Sequence, residues 1–161
     1  MTEEQTVDNH MLVSYCGLYC DLCGARNDTP ERARALIATL KQSEMDKWGP
    51  GTPEFDAFWG FLNGLADVPE DKCCRTGGCG APNCAIRACA KSRGAEVCAL
   101  CADYPCAKIH TFAQSEPLLL HDGERIRKVG LDQWTGEQIA RRQAGFDYGR
   151  VRCLPCIVPT E

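Results

Sequence analysis

Thirteen cysteines among 161 residues are the side chains in this sequence most able to do chemistry. The opening stretch, MTEEQTVDNHML, is acidic and lacks the apolar segment of a secretory signal, so we expect a cytoplasmic chain whose thiols stay reduced. An odd number of cysteines also fits a complete disulfide framework poorly. The cysteines therefore indicate metal ligation, with disulfides in an exported or extremely thermophilic protein as the alternative.

The first cluster is a C-x3-C-x2-C triplet formed by Cys16, Cys20 and Cys23. A C-x-x-C turn followed by glycine lets two thiolates converge on one metal. The triplet spacing matches the iron–sulfur motif of radical S-adenosylmethionine enzymes, but the alternating strands and helices that those enzymes need are not apparent here. We expect a site completed by a distant fourth cysteine. An iron–sulfur or thiol-redox centre is the alternative, although the bacterial ferredoxin spacing is absent.

The second cluster repeats at five-residue steps through Cys74, Cys79, Cys84 and Cys89. Neighbours five residues apart on a helix point about 140° away from each other, so one straight helix cannot direct all four at one ion. The Gly/Pro-rich loop must bend some of them around, or they serve different sites. Asn83 is the predicted cap of a helix that carries Cys84 in its first turn.

The third cluster comprises Cys98, Cys101 and Cys106. Asp103 is a predicted helix cap with proline at position 105, which places the Cys106 thiol in a first turn, where exposed N–H groups favour a thiolate. His110 follows four residues later on the same face. It is a candidate second ligand or a base for an activated cysteine in an enzyme, but a surface role is the more common one for such a histidine.

A last C-x-x-C pair, Cys153 and Cys156, can close a site only by returning to an earlier cluster. No catalytic residue and no organic cofactor site is predicted, and enzymatic activity is left open with a preference against it. The predicted metal ligands are the cysteines of all four clusters: Cys16, Cys20, Cys23, Cys74, Cys79, Cys84, Cys89, Cys98, Cys101, Cys106, Cys153 and Cys156.

Between the first two clusters lies a stretch without cysteine that is typical of two helices. Thr29-Pro30-Glu31 predicts a helix start, and apolar residues follow at helical spacing until Trp48-Gly49-Pro50. Thr52-Pro53-Glu54 repeats the start signal before an apolar stripe that we expect to be a core face. The members of that stripe are Phe55, Phe58, Trp59, Leu62, Leu65 and Ala66. The two helices are predicted to form an antiparallel hairpin.

Residues 73–106 contain few large apolar side chains besides their cysteines, namely Ile86, Val97, Leu100 and Tyr104. Ordering a residue's backbone costs roughly 1–2 kcal/mol, which four such side chains cannot offset over this length. A structural zinc site supplies about 10–16 kcal/mol of apparent binding free energy. Metal ligation is therefore the predicted source of order in this segment.

The elements together predict a mainly α fold with irregular metal-binding loops and at most one short β-hairpin. We expect a single domain over 1–161, made of a cysteine triplet (1–28), a helical hairpin (29–72), a cysteine-rich metal-binding segment (73–112) and a helical tail (113–161). In the tail, Thr135-Gly136-Glu137-Gln138 resembles a capping box that opens a helix, and 122–130 is predicted as another short helix.

The net charge of −4 becomes more negative with each tetrathiolate zinc site, because Zn²⁺ offsets only two of four thiolate charges. Nucleic acid is therefore not an expected partner, and no apolar run approaches the ~20 residues that span a bilayer. The predicted function is that of a small cytoplasmic protein with structural zinc, acting as a non-enzymatic interaction or regulatory module with a protein partner. Iron–sulfur or thiol-redox chemistry remains the alternative.

Three stretches resemble a cysteine-rich prokaryotic family known only as a domain of unknown function. They are Tyr15-Cys16-Gly17-Leu18 with Cys20 and Cys23, then Cys84-Ala85-Ile86-Arg87 with Cys89-Ala90, and finally Cys98, Cys101 and Pro105-Cys106. The resemblance covers about residues 13–112. It implies a small, cytoplasmic, metal-binding protein of bacteria or archaea and supplies no catalytic residue.

Overall fold

The computed structural model describes residues 9–69, 73–76 and 83–151, and these are mainly helical, as predicted. Within them no β-strand forms, so the short β-hairpin that the sequence left open is absent there. Isolated β-bridges join Val13 to Tyr19 (antiparallel) and Pro50 to Thr52 (parallel). The helices, numbered in chain order, are α1 (Asp28–Gln42), α2 (Met45–Trp48), α3 (Phe55–Ala66), α4 (Ala85–Ser92), α5 (Ala107–Ala113), α6 (Leu118–Val129) and α7 (Leu131–Gln143). None of the described helices is both long and apolar enough to cross a membrane.

The chain divides into two compact units. The helical unit is Gly24–Glu70, and the cysteine unit combines Met1–Cys23 with Asp71–Glu161. The cysteine unit therefore contains every described thiol, because no cysteine lies between positions 24 and 70. Whether the two units make one domain stays a prediction.

The helical unit is a hairpin in which α1 packs against α3, as predicted. The Arg34 guanidinium donates to the carbonyl oxygen of Ala66 at 2.7 Å and ties the end of α3 to α1. The first helix starts at Asp28 with Asn27 as its cap, so the predicted cap at Thr29 is wrong. The predicted continuous stretch also breaks at Glu44, whose positive φ of 56° separates α1 from α2.

The predicted apolar stripe on α3 is only partly a core face. Phe55 and Leu62 are buried, and Phe55 stacks on Trp59 with ring centroids 5.4 Å apart. Phe58 is 43% exposed, so its assignment to the core is wrong. At about 100° per residue, Phe58 lies at the edge of the face that Phe55 and Leu62 define.

The hydrophobic core of the cysteine unit packs around Trp134, a fully buried residue on α7. Tyr19 meets the Trp134 ring edge-on at 6.2 Å, and the backbone N–H of Tyr19 donates to the Tyr148 hydroxyl at 3.0 Å. Ile126 of α6 belongs to the same core. These contacts attach the first cysteine-bearing segment to the two longest helices of the unit.

The helices α6 and α7 meet at Gly130, whose positive φ of 83° permits the sharp change of direction. Buried Asp122 on α6 accepts from the Arg141 guanidinium on α7 at 3.1 Å, so the pair joins the two helices. The predicted helix over 122–130 is the C-terminal part of α6. The predicted capping box at Thr135 is wrong, because Thr135 is buried inside α7, which begins at Leu131.

Candidate metal centre

Ten cysteines lie in the described ranges, and among those residues they form no disulfide with one another. They are Cys16, Cys20, Cys23, Cys73, Cys74, Cys84, Cys89, Cys98, Cys101 and Cys106. The predicted ligands Cys79, Cys153 and Cys156 lie outside the described residues.

The short helix α4 carries two of the thiols. Cys84, rather than the predicted Asn83, is its N-terminal cap, and the Cys84 sulfur accepts from the backbone N–H of Arg87 at 3.5 Å. A sulfur at this position takes the role that a Ser or Asp oxygen usually has. Cys89 lies further along α4, so the helix holds both thiols on one rigid element.

The third cluster is built from a turn and a helix cap. Cys98 opens a 3-10 turn (Cys98–Leu100), and the N–H of Cys101 donates to the carbonyl of Cys98 at 3.0 Å. Arg127 of α6 donates to the Ala99 carbonyl at 3.0 Å and holds this turn in place. Cys106 is the cap of α5, which begins at Ala107.

The predicted helix start at Asp103, with proline in its first turn, is therefore wrong. Asp103 instead forms an ion pair with Arg93, which follows α4. His110 lies on α5 with an exposed side chain, and its backbone N–H donates to the Cys106 carbonyl at 3.0 Å. The backbone of Cys106 is extended (φ −88°, ψ 169°), so helical conformation begins only at Ala107 and not near Asp103.

These elements bring several thiols together at one small cavity of about 70 Å³. Four of them line the cavity, namely Cys89, Cys98, Cys101 and Cys106. Burial, together with the neighbouring thiols of Cys106, Cys89, Cys101 and Cys84, raises the pKa of the Cys98 thiol to about 11. The fold thus groups two clusters that the sequence spacing left separate.

Cations surround this cavity, and the sequence pattern did not single them out. Arg93 and Lys108 line it together with the thiols. The Arg93 guanidinium lies 3.7 Å from the Cys101 sulfur, and the pKa of Arg93 is raised by its hydrogen bonds to Asp103 and Cys101. Positive charges beside sulfur favour the thiolate form that binds metal. An arginine a few residues before a C-x-x-C motif is too common a pattern to have identified Arg93 from sequence.

A second group of thiols adjoins the first. The Cys16 sulfur lies 3.0 Å from the Ser14 hydroxyl. Burial raises the pKa of Cys16 to about 12, and the nearby thiols of Cys74 and Cys98 contribute in the same direction. Cys74 is only 6% exposed. Cys98 is therefore a neighbour of both groups.

The segment Cys73–Thr76 is held beside Cys16 by an arginine. The Arg75 side chain donates from Nε to the Val13 carbonyl and from Nη2 to the Glu96 carbonyl, both at 2.7 Å, and it covers the Tyr15 ring at 4.8 Å. The adjacent Cys73 thiol donates to the Met11 carbonyl at 3.3 Å. The Cys73 sulfur also accepts from the Thr76 hydroxyl at 3.5 Å. These hydrogen bonds tie Cys73 to its own segment and to the N-terminal chain.

The other two members of the N-terminal triplet flank a 3-10 turn, Cys20–Leu22. The N–H of Cys23 donates to the Cys20 carbonyl at 3.1 Å, the geometry of a C-x-x-C turn. The described interactions connect Cys16 with Cys74 and Cys98. A separate site made by the triplet therefore stays a prediction.

Within residues 9–69, 73–76 and 83–151, no three Cys, His, Asp or Glu side chains stand in positions that already fit a metal ion. The thiols are neighbours but do not converge on one point. Rotation about the Cα–Cβ bond moves a cysteine sulfur between staggered positions without moving the backbone. Ligation by this cluster requires such rotations.

The chain matches one protein family, described as a protein of unknown function (DUF3795), over residues 12–111. No curated protein and no solved structure matches it. The matched range includes the N-terminal triplet, α4, the Cys98–Leu100 turn and the first part of α5. Because the match covers more than half of the 161 residues, the chain belongs to the DUF3795 family of proteins of unknown function.

Proposed function

We propose that the cysteine unit is a metal-binding module in which cysteine thiolates hold structural zinc. The observation that carries this proposal is a small cavity lined by four thiols, from Cys89, Cys98, Cys101 and Cys106, with a fifth thiol, from Cys84, close enough to interact with Cys98. In a reducing compartment such as the cytoplasm, thiols gathered in this way stay available for metal. Family membership and the abundance of cysteine are compatible with this role.

The donor set fits zinc. Thiolate sulfur is a preferred zinc ligand, and four sulfurs at about 2.3 Å complete a tetrahedral site. The Cys84 and Cys101 sulfurs already accept N–H groups, from the Arg87 backbone and from Arg93, which stabilise a negative sulfur. Each coordinating thiol releases its proton as the S–Zn bond forms, so the raised pKa of Cys98 makes zinc binding pH-dependent.

The metal would replace a missing apolar core. Beneath the thiols lies a small cluster formed by Ile86, Ile109 and Leu119. Leu100, one of the four large apolar side chains of the segment, is 51% exposed and adds little. Zinc ligation by Cys84 and Cys89 of α4 and its cap, by the Cys98–Cys101 turn and by Cys106, the cap of α5, would join these elements to one another.

A closed four-thiolate site does no chemistry, because no coordination position is left for a substrate. The function that follows is that of an interaction or regulatory module, in which zinc shapes a surface for a protein partner. The added thiolate charge works against a phosphate backbone as the partner.

The test is to purify the full chain without oxygen and to measure bound metals and acid-labile sulfide. Zinc bound without sulfide is expected. Cys89→Ser and Cys101→Ser should each lower the zinc content. Cys73→Ser should not, because serine keeps the hydrogen bond to the Met11 carbonyl and Cys73 is not one of the five thiols. A chain without metal after anaerobic purification and zinc addition would contradict metal binding, and iron with sulfide would contradict the zinc assignment.

A further inference from the structure

Cys98 occupies a position that no other described thiol shares. Its backbone N–H donates to the Tyr15 carbonyl at 2.7 Å, which fixes it beside the residue that precedes Cys16. Its thiol and that of Cys16 are close enough to interact, and Cys16 also interacts with Cys74. Cys98 therefore belongs to the group formed with Cys16 and Cys74.

Cys98 belongs equally to the group around the cavity. It lines that cavity together with Cys89, Cys101 and Cys106, and its thiol also interacts with that of Cys84. The sulfur-bearing residues Cys16, Cys84, Cys98 and Cys106 all pack against the same apolar cluster of Ile86, Ile109 and Leu119. The two groups are therefore continuous, with Cys98 between them.

The number of thiols fits two metal ions that share one ligand. Within residues 9–69, 73–76 and 83–151, the two groups together contain seven thiols, from Cys16, Cys74, Cys84, Cys89, Cys98, Cys101 and Cys106. Two tetrahedral zinc ions need eight ligand positions in total. Seven sulfurs fill eight positions when one of them binds both ions.

We propose that these seven cysteines form a binuclear zinc site in which the Cys98 sulfur bridges the two ions. This inference rests on the proposed function and specifies its arrangement. Each of the seven thiols loses one proton to solvent as its first S–Zn bond forms, and Cys98 donates a second electron pair to the second ion. No oxidation or reduction takes part.

The surrounding charges favour this arrangement. Seven thiolates and two Zn²⁺ ions leave three negative charges uncompensated. Arg93 and Lys108 line the cavity together with one carboxylate, Asp103, so the cations there outnumber the anions. Arg87, a residue that is 9% exposed, lies on the helix that Cys84 caps. Buried and neighbouring cations of this kind are stabilised by the net negative charge of a cluster.

The test replaces zinc with ¹¹³Cd in the full chain and records one-dimensional and homonuclear correlation NMR spectra. We expect two ¹¹³Cd resonances per chain with a scalar coupling between them, because only a shared ligand atom transmits that coupling. Cys98→Ser should abolish the coupling and lower the cadmium content, whereas the matched control Cys73→Ser should retain both resonances and the coupling.

The possible outcomes separate this inference from the proposed function. Two uncoupled resonances, or a single bound ion, would overturn the bridging arrangement and leave a cysteine metal site intact. A chain that binds no cadmium would overturn both. Because the coupling is measured in the unsubstituted chain, misfolding of the Cys98→Ser protein would not obscure the answer.

Discussion

Replacing Gly123 with alanine should weaken zinc binding through a clash that the structure defines. Gly123 is buried on α6, and a Cβ atom there would lie 2.5 Å from Cζ and 3.2 Å from Cε1 of the Tyr104 ring. Tyr104 stands between Cys101 and Cys106 in the chain and lines the thiol cavity. The added methyl group must therefore displace the ring, and with it the segment that carries these two thiols.

The size of the effect follows from overpacking. An extra methyl group forced into a packed site costs typically about 1–3 kcal/mol. If zinc holds the Tyr104 segment in place, this cost falls on the zinc-bound form, and it corresponds to roughly 5- to 150-fold weaker binding. Gly136→Ala on α7 is the matched control, since a Cβ there would meet nothing within 4 Å. Its zinc affinity should equal that of the original chain.

The zinc affinities of the original chain and of the two glycine variants are measured without oxygen, by letting each protein compete with a chromophoric chelator for zinc. A Gly123→Ala affinity within about twofold of the Gly136→Ala affinity would refute the reasoning. The double variant with Tyr104→Ala supplies a second check, because removing the ring should remove the penalty. An unchanged penalty in that background would place its cause elsewhere.

Three further predictions concern stability and order. Burial raises the pKa of the Tyr148 phenol in the folded protein. The stability that this group contributes is therefore complete below pH 10 and is lost as the pH rises through the raised pKa of the folded state. Melting temperatures measured across this pH range should show the loss, and Tyr148→Phe should make the loss smaller. Ile109→Ala should lower the free energy of unfolding by about 2–5 kcal/mol, because Ile109 is fully buried. Phe61 is 70% exposed, so Phe61→Ala should change the free energy of unfolding by roughly 0.5 kcal/mol or less. Urea unfolding of the zinc-bound chain measures both. Chelation should remove hydrogen-exchange protection from 83–113 while α1 and α3 keep theirs, and protection retained in 83–113 would contradict metal-dependent order there.

The helical hairpin could be predicted because its signals are local. Proline near the start of α1 and apolar residues at helical spacing in α1 and α3 act within one or two turns of chain. Phe58 was misassigned because spacing alone does not set how wide the buried face of a helix is. The helix break at Glu44 could not be predicted, because no glycine or proline marks that position.

The helix starts in the cysteine unit were predicted wrongly for a physical reason. Preferences for capping residues favour Asn and Asp, and they pointed to Asn83 and Asp103. In the structure Cys84 and Cys106 occupy the cap positions. A thiolate can accept from the first-turn N–H groups as an oxygen does, but cysteine is too rare at this position to serve as a sequence signal.

The grouping of the thiols could not be predicted, because it depends on tertiary packing. Ile86 on α4 and Ile109 on α5 pack together and bring the Cys84–Cys89 helix to the Cys98–Cys106 segment. Arg75 likewise brings Cys74 to the chain around Cys16 by binding two backbone carbonyls. Sequence spacing identified which residues could bind metal, and long-range contacts decided which of them are neighbours.

The central claim, that cysteine sulfurs of the cysteine unit bind zinc, is tested most directly by X-ray absorption at the zinc edge of the anaerobically purified chain. The expected result is a first shell of four sulfur atoms at about 2.3 Å from each zinc. A shell dominated by nitrogen or oxygen at about 2.0–2.1 Å would contradict the claim.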